Sequence, residues 1–504
     1  MKIFEGNHTW MLGLFLIIIT AIILRIININ INPPELFSDE LINFVSAKSV
    51  IEEGKDLHGK FLPFFYDRVE LRPPIYGYSA YVSSKLFGDS TLAIRFPAVI
   101  YGIITIIMLY ILTLEITNSH LAALFSSYCL SIIPWHIHYS RVGWEPASLL
   151  PFLLSAIVLL IKGINKDNKW LIIFGFAFFS LTIYTYQAAP LFAFLFLITI
   201  VGFNYRYFLK KKRIFIIGLT ISGVIAFPYI WTVINEPHLY DRARRINTFY
   251  NGINRETMGI FIKNYFSHFS LNFLFKNGDP NLRHGAQTGV LYWWMFPAIV
   301  LGLILLNRSI QKSWYYCLIL FWLIIFPLAG SLTNDGVPHA TRTLIGAPLF
   351  SLICGIGTWK AIQIVHKLTK SKLLAGFALT FILIISLASL LNFSRKYFQN
   401  YPTISSGWWD YGHRQIFNKI SKMDKFYERA CLGNLNYWNE LQLKKYYLEN
   451  TQLEIINDVN DISCQKPGSV VVVKADESKN IKGDLIDKVY NLENIPIYYI
   501  YSVE

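Results

Sequence analysis

Eleven apolar stretches run through this chain of 504 residues, and four of the short connections between them are rich in Lys and Arg. Most of the stretches approach the ~20 apolar residues that an α-helix needs to cross a bilayer. Only 15% of the residues are charged, against about 25% in soluble proteins. The pattern predicts a polytopic α-helical membrane protein with about 11 transmembrane helices. The predicted spans are residues 10–31, 91–114, 120–135, 146–164, 170–186, 188–207, 214–233, 288–306, 314–332, 343–364 and 373–393.

The charge of the short loops predicts how the chain is oriented. Loops rich in Lys and Arg stay on the cytoplasmic side of a membrane. Four connections are basic: one with Lys162, Lys166 and Lys169, one with Arg206, Lys210, Lys211, Lys212 and Arg213, one with Arg308 and Lys312, and one with Lys360, Lys367, Lys370 and Lys372. Counting spans from a cytoplasmic N-terminus places all four inside. We therefore expect an external C-terminal domain and a multi-pass protein of the plasma (inner) membrane.

The same count assigns two long loops and a tail to the outside. The transmembrane part covers residues 1–393, with external loops at 32–90 and 234–287, and residues 394–504 form a small external α/β domain. Helical spacing within 41–45 and 75–87 predicts amphipathic helices lying on the membrane, and β-branched runs at 469–473 and 495–501 predict strands. Cys431 and Cys464 lie in the tail and could form a disulfide outside the cell.

The net charge of +14 does not indicate a nucleic-acid partner. Much of it lies in short loops beside the spans, where topology and anionic membrane lipid explain it. The sequence contains no zinc-finger spacing, phosphate-binding loop or dinucleotide fingerprint. A transporter would place polar residues in mid-span and break its helices there. In this chain the polar clusters lie at the ends of spans, which favours chemistry at the membrane surface.

Asp39 and Glu40 are the candidate catalytic carboxylates. They follow Pro33 and Pro34, which end the first apolar stretch. A positioned carboxylate at the lipid–water boundary can act as a general base. The structural alternative is a helix N-cap, with Ser38 or Asp39 capping a helix that begins near Glu40. Both can hold, because a cap also fixes the carboxylate rigidly.

Arginines in three external segments are candidates for binding an anionic group. Arg72 precedes a Pro-Pro pair, Arg141 lies in a short loop between two spans, and Arg342 begins a late span with His339 ahead of it. Arginine suits bidentate phosphate binding, and a cation can neutralise a departing phosphate. We predict that these four residues bind a donor phosphate. The alternatives are a solvated ion pair in the first loop and snorkelling of Arg342.

The same external segments supply candidate substrate contacts, namely Arg68, Tyr76, His138, Tyr139 and Arg283. His136 and His138 are two residues apart and raise the question of a metal, but no further ligand is obvious. We therefore assign no metal ligand. An aromatic belt at the membrane interface is the alternative explanation for Trp135 and Trp144.

Several short motifs follow one another in a recognisable order over roughly residues 10–365. They are Arg25, Asp39-Glu40, Pro73-Pro74-Ile75-Tyr76, Leu86-Phe87-Gly88-Asp89-Ser90, Ala93-Ile94-Arg95, Pro134 to Arg141, and Pro338 to Arg342. In this series the chain resembles the dolichyl-phosphate-mannose–protein mannosyltransferase family. That resemblance implies the C-type glycosyltransferase fold, which the bacterial aminoarabinose transferases of lipid A share.

The resemblance also implies an activity. Such enzymes move a sugar from a polyprenyl-phosphate donor to an acceptor hydroxyl on the outer face, and the acceptor here could be a protein, a lipid or a glycan. Asp39 matches the acidic residue of the first loop that acts in catalysis, and Glu40 accompanies it. Much of the family needs no catalytic metal, whereas some relatives that transfer oligosaccharides use one. A divalent metal cofactor is therefore left open but not favoured.

Our mechanistic hypothesis is a single inverting displacement in which Asp39 takes the proton of the acceptor hydroxyl. Arg72, Arg141 and Arg342 would then stabilise the departing polyprenyl phosphate. The alternatives are a lipid-linked-sugar flippase or transporter, a polymerase of envelope glycans, and a non-catalytic membrane scaffold.

Overall fold

The structure is a computed structural model that describes residues 7–57, 59, 65–66, 71–236, 240–309, 313–433, 445–448, 451–478 and 481–503. Helices dominate the first four fifths of the chain and strands dominate the tail. The helices are α1 (Asn7–Ile26), α2 (Ser38–Glu53), α3 (Ile75–Phe87), α4 (Thr91–Thr117), α5 (His120–Ile132), α6 (Pro134–Tyr139), α7 (Pro146–Asn165), α8 (Lys169–Thr182), α9 (Ala189–Phe203), α10 (Tyr205–Lys210), α11 (Lys212–Asn235), α12 (Asp241–Arg245), α13 (Arg255–Ser267), α14 (Met295–Ser309), α15 (Trp314–Ile325), α16 (Leu328–Ser331), α17 (Gly346–Thr369), α18 (Lys372–Arg395), α19 (Tyr401–Ser405) and α20 (His413–Met423). The strands are β1 (Phe65–Tyr66), β2 (Leu71–Arg72), β3 (Arg429–Leu432), β4 (Glu454–Ile456), β5 (Ser469–Lys474), β6 (Asp484–Tyr490) and β7 (Pro496–Val503).

Each of the predicted spans contains an apolar helix. In the described part of the chain, seven helical segments are long and apolar enough to cross a membrane: α1, α4, α7, α11, α15 with α16, α17, and α18 with its extension to Trp409. Four shorter apolar helices accompany them, namely α5, α8, α9 and most of α14. The prediction of a polytopic helical membrane protein is confirmed, and the number of eleven transmembrane helices stays a prediction.

The first long loop contains two helices, α2 and α3, as the spacing predicted. Helix α2 begins at Ser38 with Phe37 in the cap position, so the N-cap predicted for Ser38 or Asp39 is wrong. Instead, the Glu40 carboxylate accepts a hydrogen bond from the backbone N–H of Phe37 at 3.0 Å. Residues 40–47 are all buried, so α2 is an internal element of the protein and not a helix lying on the membrane.

The tail is a small mixed α/β unit. Its five strands are arranged in the order β4-β3-β5-β7-β6. The first three are parallel, and β7 is antiparallel to both β5 and β6. The runs predicted as strands form β5 and β7. Cys431 and Cys464 form a disulfide, which confirms the pairing that the sequence allowed.

The tail shares a hydrophobic core with the first loop. The buried face of α20 consists of His413, Ile416, Phe417 and Ile420, at the spacing of an amphipathic helix. Its apolar members belong to one cluster with Leu36, Leu41 and Phe44. The helix that begins at Ser38 is therefore packed between the membrane part and the tail.

Candidate functional site

A cavity of about 420 Å³ lies where several loops meet. Five of the predicted site residues line it: Asp39, Arg72, Arg283, His339 and Arg342. Its other walls include Trp144, Glu145, Tyr186, Gln187, Arg242, Asn281, His284, Asp335 and Thr341. A second cavity of about 440 Å³, among α14, α15 and α17, has two lysines but no carboxylate among its lining residues, all of which lie in described segments. The first cavity is therefore the candidate site for acid–base chemistry.

Asp39 is held at the cavity surface by Arg72. One Arg72 nitrogen, Nη2, donates to Oδ1 of Asp39 at 2.9 Å, and Nη1 donates to Oε1 of Glu145 at 3.1 Å. The Arg72 side chain is 6% exposed and that of Asp39 is 36% exposed. Within the described residues, Oδ2 of Asp39 accepts no hydrogen bond, so one carboxylate oxygen is directed by the ion pair while the other can receive a proton.

Glu145 is a site residue that the sequence analysis did not single out. It stands immediately before α7, in the short loop that also carries Trp144. Its side chain is buried against Arg72. Arg72 itself ends β2, directly before the Pro-Pro pair that leads into α3. No spacing in the sequence connects Glu145 with the first loop, because 73 residues separate it from its partner.

Glu40 lies outside the cavity and is fully buried. It forms a bidentate ion pair with Arg95, with distances of 2.9 Å to Nε and 3.0 Å to Nη2. It also accepts the backbone N–H of Gly143 at 2.7 Å. A Cβ atom at Gly143 would lie 3.0 Å from the Glu40 oxygen and 2.9 Å from Ile94, so this close approach favours glycine.

Arg95 also holds the segment that precedes Asp39. Its remaining donors contact the backbone carbonyls of Ile29, Pro33 and Glu35 at 2.6–2.9 Å. The ion pair therefore fixes the entry into α2 on helix α4, and it positions Asp39 without facing the cavity itself.

Arg141 also lies outside the cavity. Its guanidinium is fully buried and donates to the backbone carbonyls of Leu24, Arg25, Ile27 and Asn32 at 2.7–3.0 Å. The last carbonyls of a helix lack hydrogen-bond donors within the helix, and at the end of α1 the Arg141 guanidinium supplies these donors. The structure does not bring this residue to the predicted phosphate site.

Arg342 lies in the cavity wall in a fixed orientation. Its Nη1 atom donates to the Thr333 hydroxyl at 2.6 Å and to the Asp335 carbonyl at 2.7 Å. Its Nη2 atom donates to the Asp335 carboxylate at 3.2 Å. The side chain is 14% exposed. Arg342 is therefore bonded to groups of its own loop, which hold the guanidinium at the rim of the cavity.

The Arg283 side chain in the cavity wall donates no hydrogen bond to any described residue. Its guanidinium lies over the Phe37 ring, 4.4 Å from the ring centroid. Its buried Nε atom has no hydrogen-bond partner, and the described residues include no ion pair with it. The Asn281 side chain accepts the Arg283 backbone N–H at 2.9 Å and thereby fixes the loop. Such a cation is available to an anionic ligand.

An imidazole–carboxylate cluster forms another part of the wall. Nδ1 of His284 lies 2.8 Å from Oδ2 of Asp279, and Nδ1 of His339 lies 3.9 Å from the same oxygen. The two imidazole rings are 4.5 Å apart. Burial lowers the pKa of His339 well below its usual range, so this ring is neutral near pH 7. Asp279 and His284 belong to a loop whose composition alone did not reveal this arrangement.

The remaining predicted contacts support the walls instead of lining the cavity. The Tyr76 hydroxyl donates to the Ile94 carbonyl at 2.8 Å. His138 donates from Nε2 to the Arg283 carbonyl at 2.7 Å, and the Tyr139 hydroxyl lies 2.6 Å from that of Thr341. Arg68 lies outside the described residues.

The two histidines that raised the question of a metal have separate partners. His136 contacts the Arg25 guanidinium at 2.8 Å, whereas His138 contacts Tyr397 and the Arg283 carbonyl. Trp135 and Trp144 are both buried. The alternative of an aromatic belt at the membrane interface is therefore wrong for these two rings, and Trp144 lines the cavity.

Residues 71–231 match the family model of the dolichyl-phosphate-mannose-protein mannosyltransferases. This match confirms the resemblance that the motifs indicated. It includes Arg72, Arg95 and Glu145, while Asp39 precedes the matched segment and the imidazole cluster follows it. No curated protein matches the chain in sequence.

Solved structures of the C-type glycosyltransferases share the fold. ArnT from Cupriavidus metallidurans, solved with undecaprenyl phosphate, superimposes with a TM-score of 0.61 at 12% identity, over 98% of each chain. The oligosaccharyltransferase of Archaeoglobus fulgidus in its apo form gives 0.55 at 13% identity, over 94% of this chain and 70% of that one. AglB from Archaeoglobus fulgidus, in complex with an inhibitory peptide and a dolichol-phosphate, also gives a TM-score of 0.55 at 13% identity, over 92% of this chain and 69% of that one. The predicted fold class is thus confirmed as a polytopic membrane protein with a C-type-like fold and a small mixed sheet at its C-terminus.

Proposed function

We propose that this protein transfers a sugar from a polyprenyl-phosphate donor to an acceptor hydroxyl at the outer face of the membrane. The family match over residues 71–231 supports the reaction class. Two neighbours in fold were solved with polyprenyl phosphates, which supports the donor class. The observation that carries the proposal is the cavity, which combines the Asp39 carboxylate with the guanidinium groups of Arg72, Arg283 and Arg342.

The orientation of the protein is part of the proposal. Residues from all five connections that the charge rule assigns to the outside line this cavity, for example Asp39, Glu145, Gln187, Arg283 and Arg342. The second cavity is lined mainly by the ends of spans, and its two lining residues outside the spans, Thr117 and Lys367, lie in connections assigned to the inside. This agreement supports eleven spans and an external tail, and a disulfide in the tail fits an oxidising compartment.

In the proposed reaction, Oδ2 of Asp39 accepts the proton of the acceptor hydroxyl. The acceptor oxygen then attacks the anomeric carbon, and the bond from that carbon to the phosphate oxygen breaks with inversion. The released polyprenyl phosphate takes up the negative charge, which Arg283 and Arg342 stabilise by fixed cationic groups. Arg72 orients the base through its bond to Oδ1. A general base of this kind contributes roughly 10²–10⁴-fold to the rate.

The proposal gives new roles to three of the predicted site residues: Arg72 orients the base, and Glu40 and Arg141 become positioning residues. Glu40 acts as a positioning residue through Arg95, because neither side chain is exposed. Arg141 acts as a positioning residue for the end of α1, because backbone carbonyls engage its guanidinium. Arg283 replaces Arg141 in the proposed phosphate site.

The test is transfer of labelled sugar from a panel of polyprenyl-phosphate sugars to total envelope acceptors. Purified wild type is compared with Asp39→Asn and with Asp89→Asn. Asp89 is a matched control because it is a comparably exposed acid of the same loop, paired with Lys48 and not part of the cavity. We expect transfer by wild type and Asp89→Asn and none by Asp39→Asn. Equal transfer by all three would contradict the role of Asp39, and label crossing the bilayer without covalent transfer would favour the flippase alternative.

A further inference from the structure

Three potential metal ligands converge in the cavity wall from two loops. The Asp279 carboxylate and the His284 and His339 imidazoles place one ligand atom each within 4.8 Å of one another. Asp279 and His284 belong to the loop that precedes α14, and His339 to the loop between α16 and α17. The two loops meet through Asp279, whose Oδ2 accepts the Ala340 backbone N–H at 2.7 Å.

The cluster now holds one hydrogen bond and one longer separation, and both distances are close to those that a tetrahedral ion requires. Two ligands of a tetrahedral Zn²⁺ lie about 3.3 Å apart when each bond is ~2.0–2.1 Å long. The separations from Asp279 Oδ2 are 2.8 Å to His284 and 3.9 Å to His339. Shifts of about half an ångström would equalise them. Each atom is of a type that zinc binds.

His339 provides the second, independent observation. It is buried, with a relative exposure of 8%, and its Nδ1 atom has no hydrogen-bond partner. An unsatisfied buried ring nitrogen costs free energy. Its backbone is held in place, because its N–H donates to His268 Nε2 at 3.0 Å and its carbonyl accepts the Thr343 hydroxyl at 2.7 Å. The unpartnered nitrogen is therefore aimed at the carboxylate by a rigid loop.

The carboxylate is already oriented as metal ligands commonly are. Oδ1 of Asp279 accepts the Asn281 backbone N–H at 2.8 Å, and the side chain is fully buried. Such outer contacts hold a ligating group in place. His268 donates from Nδ1 to the Asn264 carbonyl at 2.8 Å, which fixes the tautomer behind His339.

We infer that Asp279, His284 and His339 bind a divalent transition-metal ion of the zinc type, with a fourth coordination position open to the cavity. His284 and His339 both line that cavity. Three protein ligands with one open position are typical of sites that bind an exogenous oxygen. The oxygen offered there is that of a phosphate, and this part of the inference depends on the proposed function.

The charges of the site fit this occupancy. Asp39, Glu145, Asp279 and Asp335 balance Arg72, Arg242, Arg283 and Arg342 in number. A phosphate bound to this neutral arrangement would add negative charge, and a divalent ion beside it offsets that charge. With the divalent ion present, the net charge of the site comes closer to zero when the leaving phosphate acquires its second negative charge.

The test uses the full chain purified in detergent, stripped with a chelator and titrated with Co²⁺, whose visible absorption reports ligand number and geometry. We expect one tightly bound Co²⁺ per chain, displaced by Zn²⁺, in wild type and in the control His366→Gln, whose histidine lies in the last turn of α17 and is not among the residues that line the cavity. His284→Gln and His339→Gln should each lose at least 10-fold in affinity. Thermal stability measured without metal checks that the variants fold.

Absence of a bound Co²⁺ in folded wild type, or unchanged affinity in both histidine variants, would overturn the site. Inorganic phosphate added to the cobalt form should shift the absorption band if the fourth position is open, and an unchanged band would exclude that position. Sugar transfer by metal-free protein would leave the proposed function intact while removing the ion from it. Metal binding without any transfer would leave the metal site intact and contradict the proposed function.

Discussion

Asp39 and Glu40 are adjacent, yet their environments predict opposite consequences of neutralising each one. Asp39→Asn removes one ion pair from a side chain that is 36% exposed, while Arg72 keeps Glu145 as a partner. Pairs of that kind contribute about 0–1 kcal/mol to the free energy of unfolding. Glu40→Gln leaves the guanidinium of Arg95 uncompensated in a site where both side chains are 0% exposed. Breaking a buried pair in this way costs about 3–5 kcal/mol, or roughly two to four orders of magnitude in the folding equilibrium.

The two variants can be separated by measuring stability and catalysis on the same preparations. Unfolding is followed by denaturant titration in mixed micelles, and sugar transfer is measured below the temperature at which either variant unfolds. We expect Asp39→Asn to unfold like wild type and to lose transfer. Glu40→Gln should lose most of its stability margin and retain transfer in the fraction that remains folded.

Two results would refute this reasoning. A Glu40→Gln variant as stable as wild type would mean that the charge of Arg95 is compensated elsewhere. A folded Glu40→Gln variant without transfer, at wild-type affinity for donor, would mean that catalysis needs the Glu40 carboxylate, either directly or through the placement of Asp39.

Three further predictions address the cation, the tail acid and the disulfide. Arg283→Gln should lower kcat/KM for the donor by roughly 10–100-fold, the value of one charge-assisted hydrogen bond, with unchanged thermal stability; unchanged kinetics would contradict its role. Burial raises the pKa of Asp410 to about 6, so its stabilising contribution is full below the unfolded value near 4 and is lost as the pH rises through 6. Asp410→Asn should therefore unfold at a higher temperature than wild type at pH 8 but not at pH 4. Replacing Cys431 and Cys464 by Ser should destabilise the tail by about 3–4 kcal/mol, because the bridge closes a loop with a sequence separation of 33, as denaturant titration would show.

The apolar stretches were sufficient to predict a polytopic helical membrane protein, whereas the orientation that loop charge indicates stays a prediction. Each apolar stretch contains a helix because backbone groups in a bilayer must be satisfied within the segment itself. The same patterns placed Asp39, Arg72, His339 and Arg342 in loops on one side, and these residues do meet in one cavity. A site built from loop ends is predictable to this extent because the spans fix where each loop must begin.

The roles of individual charges inside those loops were not predictable. Arg141 is of the residue type that binds phosphate, but its guanidinium donates to backbone carbonyls at the end of α1. Glu40 is of the residue type expected for a catalytic partner of Asp39, but it forms an ion pair with Arg95 of another helix. Contacts between residues far apart in the chain decide these outcomes. Glu145 was missed for the same reason, since nothing local marks it as a cavity residue.

The tail is connected to the cavity by aromatic contacts and by an ion pair. Trp409 stacks on Trp144 at 5.6 Å and contacts the Phe37 ring edge-on at 6.1 Å. The face of the Phe37 ring in turn contacts the Arg283 guanidinium. A salt bridge of 2.9 Å joins Arg414 to Glu35, two residues before Phe37. Because the tail touches Glu35 and Phe37 in the segment before Asp39, and Phe37 contacts Arg283, the position of the tail helps to set the geometry of the cavity.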